Sequence, residues 1–128
     1  MPQIYTFLAK VAEPLSQQLF DLRSTITKEA CKAISLISEV LEAEFETVAA
    51  NNFVTENSLF KLMESGTAVM AQHAHRCVLS VLYNTSSAKI VKRVLKQSND
   101  KHQYIRINIS EYILLILQLY PTSLLDKF

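Results

Sequence analysis

The sequence predicts an all-α fold, and both its composition and its periodicity support that prediction. The 128 residues include one glycine and three prolines, too few for a turn-rich β protein or a collagen-like chain. Hydrophobic residues make up 49% of the chain, which suffices for a core without disulfides or metal. Apolar residues recur with the period of amphipathic helices over almost the whole length. A single helical domain, or a segment of one, is expected over residues 1–128.

Polar junctions divide the periodic pattern into helices. The first helix is expected from about Ile4 to Phe20, with Pro14 either bending it or opening a second helix at its first turn. Ser24 is expected to cap the long helix that follows. That helix is expected over about 24–45. Further helices are expected over about 46–63 with a break near 51–52, 67–83, 86–96 and 101–119, before Pro121.

Three of these helices repeat one apolar pattern. Shifts of 44 and then 35 residues superpose their apolar faces and also align the junctions 21–22, 65–66 and 100–101. The superposed positions, which share one face of a helix, are Ile26, Ala30, Ala33, Ile34 and Ile37; Met70, Ala74, Cys77, Val78 and Val81; and Ile105, Ile109, Tyr112, Ile113 and Ile116. Units of this length predict a HEAT-like helical-repeat solenoid of about three helix pairs. A plain helical bundle also shows helical spacing, but the shared register of helices and turns favours the repeat.

Charge is unevenly distributed, although the formal net charge is only +1. Residues 13–64 carry nine acidic and four basic side chains, whereas residues 86–106 carry six basic and one acidic. One end of the molecule is therefore expected to be acidic and the other basic. Cys31 and Cys77 lie in apolar helical patterns and are expected to be buried, reduced thiols of a cytoplasmic protein. The longest apolar run falls far short of the ~20 residues that span a bilayer.

No pattern in the sequence points to catalysis. It contains no phosphate-binding glycine loop, no nucleophile elbow and no H-E-x-x-H pair. His73, His75 and Cys77 form H-x-H-x-C, but zinc needs further ligands at a suitable spacing, and Cys77 falls on the core face. Three carboxylates near a helix end are expected to be solvated: Glu42, Glu44 and Glu46. Neither an enzyme nor a metal or cofactor site is expected.

The short turns within the repeat units form the candidate recognition surface. In a stack of helix pairs these turns line up along one edge, so residues distant in sequence become neighbours. The edge is expected to carry residues 21–24, 64–67 and 100–103, leading to Arg106. Helix N-termini present free amide donors, and beside arginine and lysine they favour an acidic partner.

The first of these turns resembles that of a known family. Leu15 to Ala30, with its Asp-Leu-Arg-Ser turn leading into a Lys-Glu-Ala-Cys segment, is similar to the N-terminal TOG-domain region of CLASP-type microtubule-associated proteins. Residues 65–74 and 98–117 look like the next two turns and helices of the family. The resemblance implies that the chain covers about three of the six HEAT repeats of a TOG paddle, the second to the fourth, in a longer protein.

The resemblance also implies tubulin binding through the turn edge. Arg23 and Ser24 match the second-repeat turn, Thr67 stands in the third where CLASP-like domains have a lysine, and Lys101 and Arg106 match the fourth. A non-enzymatic segment of a CLASP-like regulator of microtubule dynamics is therefore expected. It is expected at cytoplasmic microtubules and related cytoskeletal structures, docking electrostatically on acidic tubulin or the microtubule lattice.

Two alternatives stay open. A helical-repeat scaffold could bind another protein, without tubulin, through a helix face or the basic strip Lys89–Lys96. RNA binding by that strip has only Tyr104 as a stacking aromatic, so no nucleic-acid partner is expected. No membrane partner is expected either, because no apolar run is long enough to span a bilayer. Apolar residues near both ends of the sequence predict self-association through uncapped repeat ends: Ile4, Tyr5, Phe7, Leu8, Leu124, Leu125 and Phe128.

Overall fold

The computed structural model describes residues 3–128, and within that range all regular secondary structure is helical. The helices are α1 (Gln3–Gln18), α2 (Ser24–Leu41), α3 (Glu46–Asn52), α4 (Leu59–Ser65), α5 (Ala68–Asn84), α6 (Ala88–Lys96), α7 (Gln103–Leu119) and α8 (Thr122–Leu125). A 3₁₀ turn at Glu42–Phe45 joins α2 to α3. The all-α prediction is confirmed.

The helices form two layers of paired elements. One layer contains α1, the α3–α4 segment and α6, and the other contains α2, α5 and α7. Within each unit α1 packs on α2, α4 on α5 and α6 on α7, while successive units meet through the contacts of α2 with α5 and of α5 with α7. This is the HEAT-like arrangement that the repeated pattern predicts.

Contacts between α2 and α5 show that these helices run in the same direction. In the middle of both helices the Cys77 thiol donates to the Cys31 carbonyl oxygen at 3.5 Å. Near both C-terminal ends the Asn84 Nδ2 donates to Ser38 Oγ, also at 3.5 Å. The sequence offset between partners stays constant along the pair, so α2 and α5 are parallel.

Two tyrosines fix α7 against α5 in the same way. The Tyr112 hydroxyl lies 2.7 Å from His75 Nδ1, and the Tyr120 hydroxyl donates to the Leu82 carbonyl oxygen at 3.1 Å. Both contacts join equivalent stretches of the two helices, so α7 is parallel to α5. The N-termini of α2, α5 and α7 therefore lie at one edge of the molecule.

The predicted apolar register is confirmed by burial. Ten of the fifteen superposed positions are buried and none is exposed. The remaining positions are half-buried: Ile26, Ala33, Ile37, Met70 and Ile113. The pattern therefore identifies the core face of each long helix correctly.

Several predicted boundaries differ from the structure. The long second helix ends at Leu41 instead of Phe45, because Glu42 takes a φ of 47° and the chain enters the 3₁₀ turn. The expected break near 51–52 is a loop of residues 53–58, whose Phe53 and Val54 are buried. Pro14 lies inside α1, which continues through it. None of the helices within residues 3–128 combines the length and the apolar character that crossing a membrane requires.

Five of the seven apolar residues named near the two ends pack onto the core, while self-association through these ends stays a prediction. Leu8 is buried, and the half-buried side chains that contact the core are Ile4, Tyr5, Leu124 and Leu125. Phe7 and Phe128 remain exposed. The short helix α8 and the start of α1 thus cover part of the apolar surface that the sequence places near the ends.

One of the three carboxylates expected to be solvated has a structural partner. Glu46, at the start of α3, is half-buried, and its Oε1 accepts a hydrogen bond from the Ser86 backbone N–H at 2.9 Å. Ser86 immediately precedes Ser87, the N-cap of α6. Glu46 therefore joins one repeat unit to the next, while Glu42 and Glu44 are exposed as expected.

Candidate protein interaction site

The turns between the two layers lie at the edge where α2, α5 and α7 begin. The N-caps of these helices are Arg23, Thr67 and His102, and their spacings of 44 and 35 residues repeat the register of the helices. Because the helices are parallel and packed side by side, the three N-caps share one edge. We call residues 21–24, 64–67 and 100–103, together with Arg106, the turn edge.

An aspartate organises the first turn. Asp21 Oδ1 accepts hydrogen bonds from the Arg23 backbone N–H at 2.8 Å and from the Arg23 guanidinium Nε at 3.2 Å. These hydrogen bonds hold the pKa of Asp21 below its usual range. The Thr27 hydroxyl donates to the Asp21 carbonyl oxygen at 3.3 Å and ties the turn to α2. Ser24 was expected to be the N-cap of α2, but it is the first residue of that helix. Arg23 takes the N-cap position, and the Arg23 backbone N–H donates to Asp21.

The first turn presents a cation and an aliphatic group to solvent. The Arg23 side chain is 76% exposed despite its ion pair with Asp21. Leu22, between them, is 104% exposed. Any partner that touches this turn therefore meets Leu22 as well as Arg23.

The turn between α6 and α7 repeats the hydrogen bonds of the first. Asp100 Oδ1 accepts from the His102 backbone N–H at 2.8 Å and lies 3.0 Å from His102 Nδ1. Partial burial raises the pKa of Asp100, but the hydrogen bonds from His102 outweigh it, so the pKa lies below the usual range. Arg106 Nη1 donates to the Asp100 carbonyl oxygen at 2.7 Å, as Thr27 does to Asp21. The first and last turns therefore share individual hydrogen bonds as well as sequence register.

The middle turn is held by a threonine cap and a close backbone approach. Thr67 Oγ1 accepts from the Met70 backbone N–H at 3.3 Å. Gly66, the only glycine in the sequence, lies against the end of α4, where an added Cβ would be 2.7 Å from the Leu62 carbonyl oxygen. Its φ of −82° is open to any residue, so space and not backbone conformation requires glycine.

Two neighbouring turns contact each other through His102. Its Nε2 lies 3.6 Å from Glu64 Oε1, and its Nδ1 lies 3.0 Å from Asp100 Oδ1. Within residues 3–128 this is the one group of three potential metal ligands whose donor atoms lie within 4.8 Å of one another. Both ring nitrogens already face carboxylates, so the imidazole links the two turns through Glu64 and Asp100. Glu64 and Asp100 therefore add negative charge to a turn edge that also carries the cations Arg23 and Lys101.

All five side chains predicted for the binding surface are exposed and lie on the turn edge: Arg23, Ser24, Thr67, Lys101 and Arg106. Lys101 forms no ion pair with the residues that the structure describes, whereas Arg106 is committed to the Asp100 carbonyl oxygen. Leu22, Glu64 and His102 are placed on this edge by the sequence, but no individual contact is predicted for them. The sequence aligns Asp21 with Asp100, and the hydrogen bonds that the two aspartates share were not predicted from it.

The H-x-H-x-C sequence belongs to helix packing. His75 Nε2 lies 3.0 Å from Glu111 Oε2, and Nδ1 lies 2.7 Å from the Tyr112 hydroxyl. Burial lowers the pKa of His75 although Glu111 opposes this effect. The neighbouring Cys31 thiol and burial together raise the pKa of Cys77. Cys77 is a core residue, as the repeat register predicts.

These features define a HEAT-like helical-repeat segment with three exposed turns along one edge. The sequence model of the family described as CLASP N terminal matches residues 1–126. The chain is 36% identical over 117 residues to a CLIP-associated protein of Arabidopsis thaliana, covering 91% of this chain and 8% of that protein. It is 30% identical over 113 residues to an uncharacterized protein of Dictyostelium discoideum, covering 88% of this chain and 13% of that one. The chain belongs to the CLASP N-terminal family, and it spans a small part of the length of these two relatives.

Proposed function

We propose that this chain is a non-enzymatic, tubulin-binding segment of a CLASP-like regulator of microtubule dynamics, and that it works at cytoplasmic microtubules. It supplies about three repeats of a larger TOG-type domain in a longer protein. The observation that carries the proposal is the alignment of three N-caps, Arg23, Thr67 and His102, along one edge of a chain in the CLASP N-terminal family. The similarity to a CLIP-associated protein supports the microtubule assignment.

The turn edge docks on tubulin by combining charge and shape. Arg23 and Lys101 are exposed cations at the first and last turns, and they attract an acidic partner surface. Leu22 adds an apolar contact beside Arg23, while Ser24 and Thr67 pack at the interface as small polar groups. Since Asp21 and Asp100 fix the turns before the partner arrives, little conformational entropy is lost on binding.

Gel filtration of the chain with unpolymerised tubulin tests this proposal. We expect co-elution at low salt that weakens at moderate salt, because salt screens exposed charges. The variant carrying Arg23→Glu and Lys101→Glu is expected to bind at least ~10-fold more weakly, since each change replaces attraction by repulsion. Arg106 is left intact in this variant because it holds the Asp100 carbonyl oxygen.

The matched control carries Lys89→Glu and Lys92→Glu on α6, with the same change in charge. Both of these lysines are exposed, and neither lies on the turn edge. Tubulin binding close to that of the parent is expected for this control. If the turn variant binds like the parent while the α6 variant loses binding, the turn edge is not the docking surface.

A scaffold function through a helix face is the second candidate. The layer of α2 and α5 exposes Leu36, Val40 and Tyr83, which are 58%, 68% and 67% accessible. These residues offer apolar contacts to a protein partner without using the turns. Binding of a non-tubulin protein that is lost on Leu36→Gln and Val40→Gln, together with no tubulin binding by the parent, would favour this function.

A further inference from the structure

A polar cavity of about 370 Å³ lies between the loop of residues 53–58 and the C-terminal part of α6, apart from the turn edge. Its walls include Asn52, Glu56, Ser58, Arg93, Lys96 and Gln97. Glu56 and Lys96 stand exposed at the rim, so the cavity is open to solvent. None of the side chains that line it is aromatic.

Two polar side chains of low exposure, Ser58 and Gln97, line the cavity wall. Ser58 is 4% exposed, and its Oγ has no partner among the described residues. Gln97 is 7% exposed, and its side-chain amide, which makes no hydrogen bond within residues 3–128, keeps access to the cavity. The Ser58 hydroxyl is enclosed beyond a ligand's reach, whereas the free Gln97 amide can hydrogen-bond to a polar ligand in the cavity.

The charge of the cavity is set by Arg93. Lys96 Nζ lies 3.5 Å from Glu56 Oε1, so these two rim charges offset each other. Arg93 is half-buried and forms no ion pair within residues 3–128. Its planar guanidinium suits two-point binding of a carboxylate. Lys89 and Lys92 extend this positive surface along α6, where they line a second hollow together with Arg93 and Lys96.

We infer that this cavity binds a carboxylate side chain from an acidic peptide segment that lies along the basic face of α6. Arg93 takes the carboxylate, the Gln97 amide satisfies a neighbouring polar group of the peptide, and the exposed lysines attract the flanking acidic residues. Single-stranded nucleic acid fits less well, since its non-specific binding relies on aromatic side chains for base stacking. This site is separate from the turn edge and does not depend on the proposed tubulin contact.

Fluorescence anisotropy with a labelled Glu-rich peptide tests the inference on the full chain. Arg93→Gln is expected to weaken binding about tenfold, because it removes a hydrogen bond between charged groups. Gln97→Leu, which leaves the charge unchanged, is expected to weaken binding about threefold through the loss of one neutral hydrogen bond. Lys28→Gln on α2 is the matched control for Arg93→Gln, and its affinity is expected to equal that of the parent.

Further variants distinguish peptide binding in the cavity from general charge attraction and from binding at the turn edge. The variant with Arg23→Glu and Lys101→Glu is expected to keep its peptide affinity within about twofold at moderate salt, where remote exposed charges are screened. Thermal unfolding of each variant verifies that it is folded. Equal losses for Arg93→Gln and Lys28→Gln, or parent-like binding by a folded Gln97→Leu, would overturn the inference. Tighter binding of a single-stranded oligonucleotide of the same charge would also overturn it and assign the surface to nucleic acid.

Discussion

Single side chains fix the turns from within. Asp21 and Asp100 each receive the backbone N–H of the residue two positions on, and a side chain from the following helix returns to the aspartate carbonyl oxygen. In the first turn that side chain is Thr27, which is buried, and in the last it is Arg106, which is exposed. The same turn is therefore compatible with a small buried hydroxyl or a long exposed cation, and this makes Arg106 a structural residue as well as a candidate contact.

Gly66 provides a stability prediction at the middle turn. A Cβ at this position would lie 2.7 Å from the Leu62 carbonyl oxygen and 3.1 Å from Met70 Cβ, so α4 and α5 must move apart to accept Gly66→Ala. We expect this change to lower the free energy of unfolding by about 1–3 kcal/mol in urea denaturation. Ser65→Ala is the control, because its exposed hydroxyl bonds only to Lys61 of the same helix. Equal unfolding midpoints for the two variants would contradict the close approach.

His75 predicts a pH dependence of stability. Its pKa is lowered in the folded state by burial, although Glu111 beside it acts in the opposite direction. When the neutral ring carries its proton on Nε2, it donates to Glu111 and leaves Nδ1 as an acceptor for the Tyr112 hydroxyl. Below the unfolded pKa of about 6.5 the unfolded chain binds the proton more readily than the folded chain. The free energy of unfolding is therefore expected to fall as the pH decreases from about 6.5 towards the lower folded pKa.

Denaturation across this pH range in the parent and in His75→Gln measures the effect. The variant is expected to be less stable at neutral pH and to show a shallower decline as the pH falls. The other groups around this ring, Tyr104 by an edge contact and the neighbouring Arg76, are present in both proteins. His73→Gln is a comparison, since burial and the nearby Lys28 lower the pKa of His73 too. Identical pH slopes for His75→Gln and the parent would show that His75 is not the group responsible.

At the scale of the helices, the sequence predicts faces better than ends. Apolar spacing identifies the core face of α2, α5 and α7 because burial there follows the helix period, and no superposed position is exposed. The end of α2 is missed because Glu42 takes a left-handed conformation that residue preferences do not indicate. The loop of residues 53–58 is misjudged because Phe53 and Val54 are buried by tertiary contacts and extend the apolar pattern past the end of α3.

At the candidate site, too, the sequence predicts local features better than contacts between separate segments. The positions of the turns were predictable, since polar junctions repeat with the helices. The contact of His102 with Glu64 was not, because it depends on the approach of separate turns. The Asp21 and Asp100 hydrogen bonds lie within single turns, and the alignment of the two aspartates could have indicated them. The cavity beside Arg93 was also beyond the sequence, since its walls come from three separate segments.

The close approach of α5 to its neighbours predicts sensitivity to side-chain volume. Ala74 is completely buried, so Ala74→Leu is expected to overpack the core and lower the free energy of unfolding by ~1–3 kcal/mol. Ala33, which the register aligns with Cys77, is half-buried and leaves more room for a larger side chain. Lys32→Leu on the exposed face of α2 is the control for added apolar volume. An Ala74→Leu variant as stable as the parent in urea would mean that this face does not pack as described.

At the scale of the whole molecule, stacking of helix pairs leaves one apolar face uncovered. On α7 the side chains of Ile107, Leu114 and Leu117 are 58%, 56% and 65% exposed, and their spacing places them on one side of the helix. This face is a candidate surface for self-association in addition to the two ends of the sequence. It lies on the last long helix, where no further unit packs within residues 3–128.

Sedimentation over a range of protein concentrations measures that self-association. The parent is expected to form dimers or larger species reversibly, and the variant with Ile107→Gln and Leu114→Gln is expected to associate about tenfold more weakly. The control carries Leu36→Gln and Val40→Gln on α2, which remove a similar apolar area elsewhere. Monomeric sedimentation of the parent at high concentration, or an equal loss of association in the control, would contradict a role for the α7 face.

The central claim is that tubulin contacts the turn edge, and amide hydrogen exchange of the chain with and without tubulin tests it most directly. The account predicts slower exchange on adding tubulin for amides in residues 21–24, 64–67 and 100–106, with little change along α6. This protection is expected to disappear in the variant with Arg23→Glu and Lys101→Glu. Protection confined to α6 or to the exposed faces of α2 and α5, or no protection anywhere under conditions where tubulin co-elutes with the chain, would contradict the account.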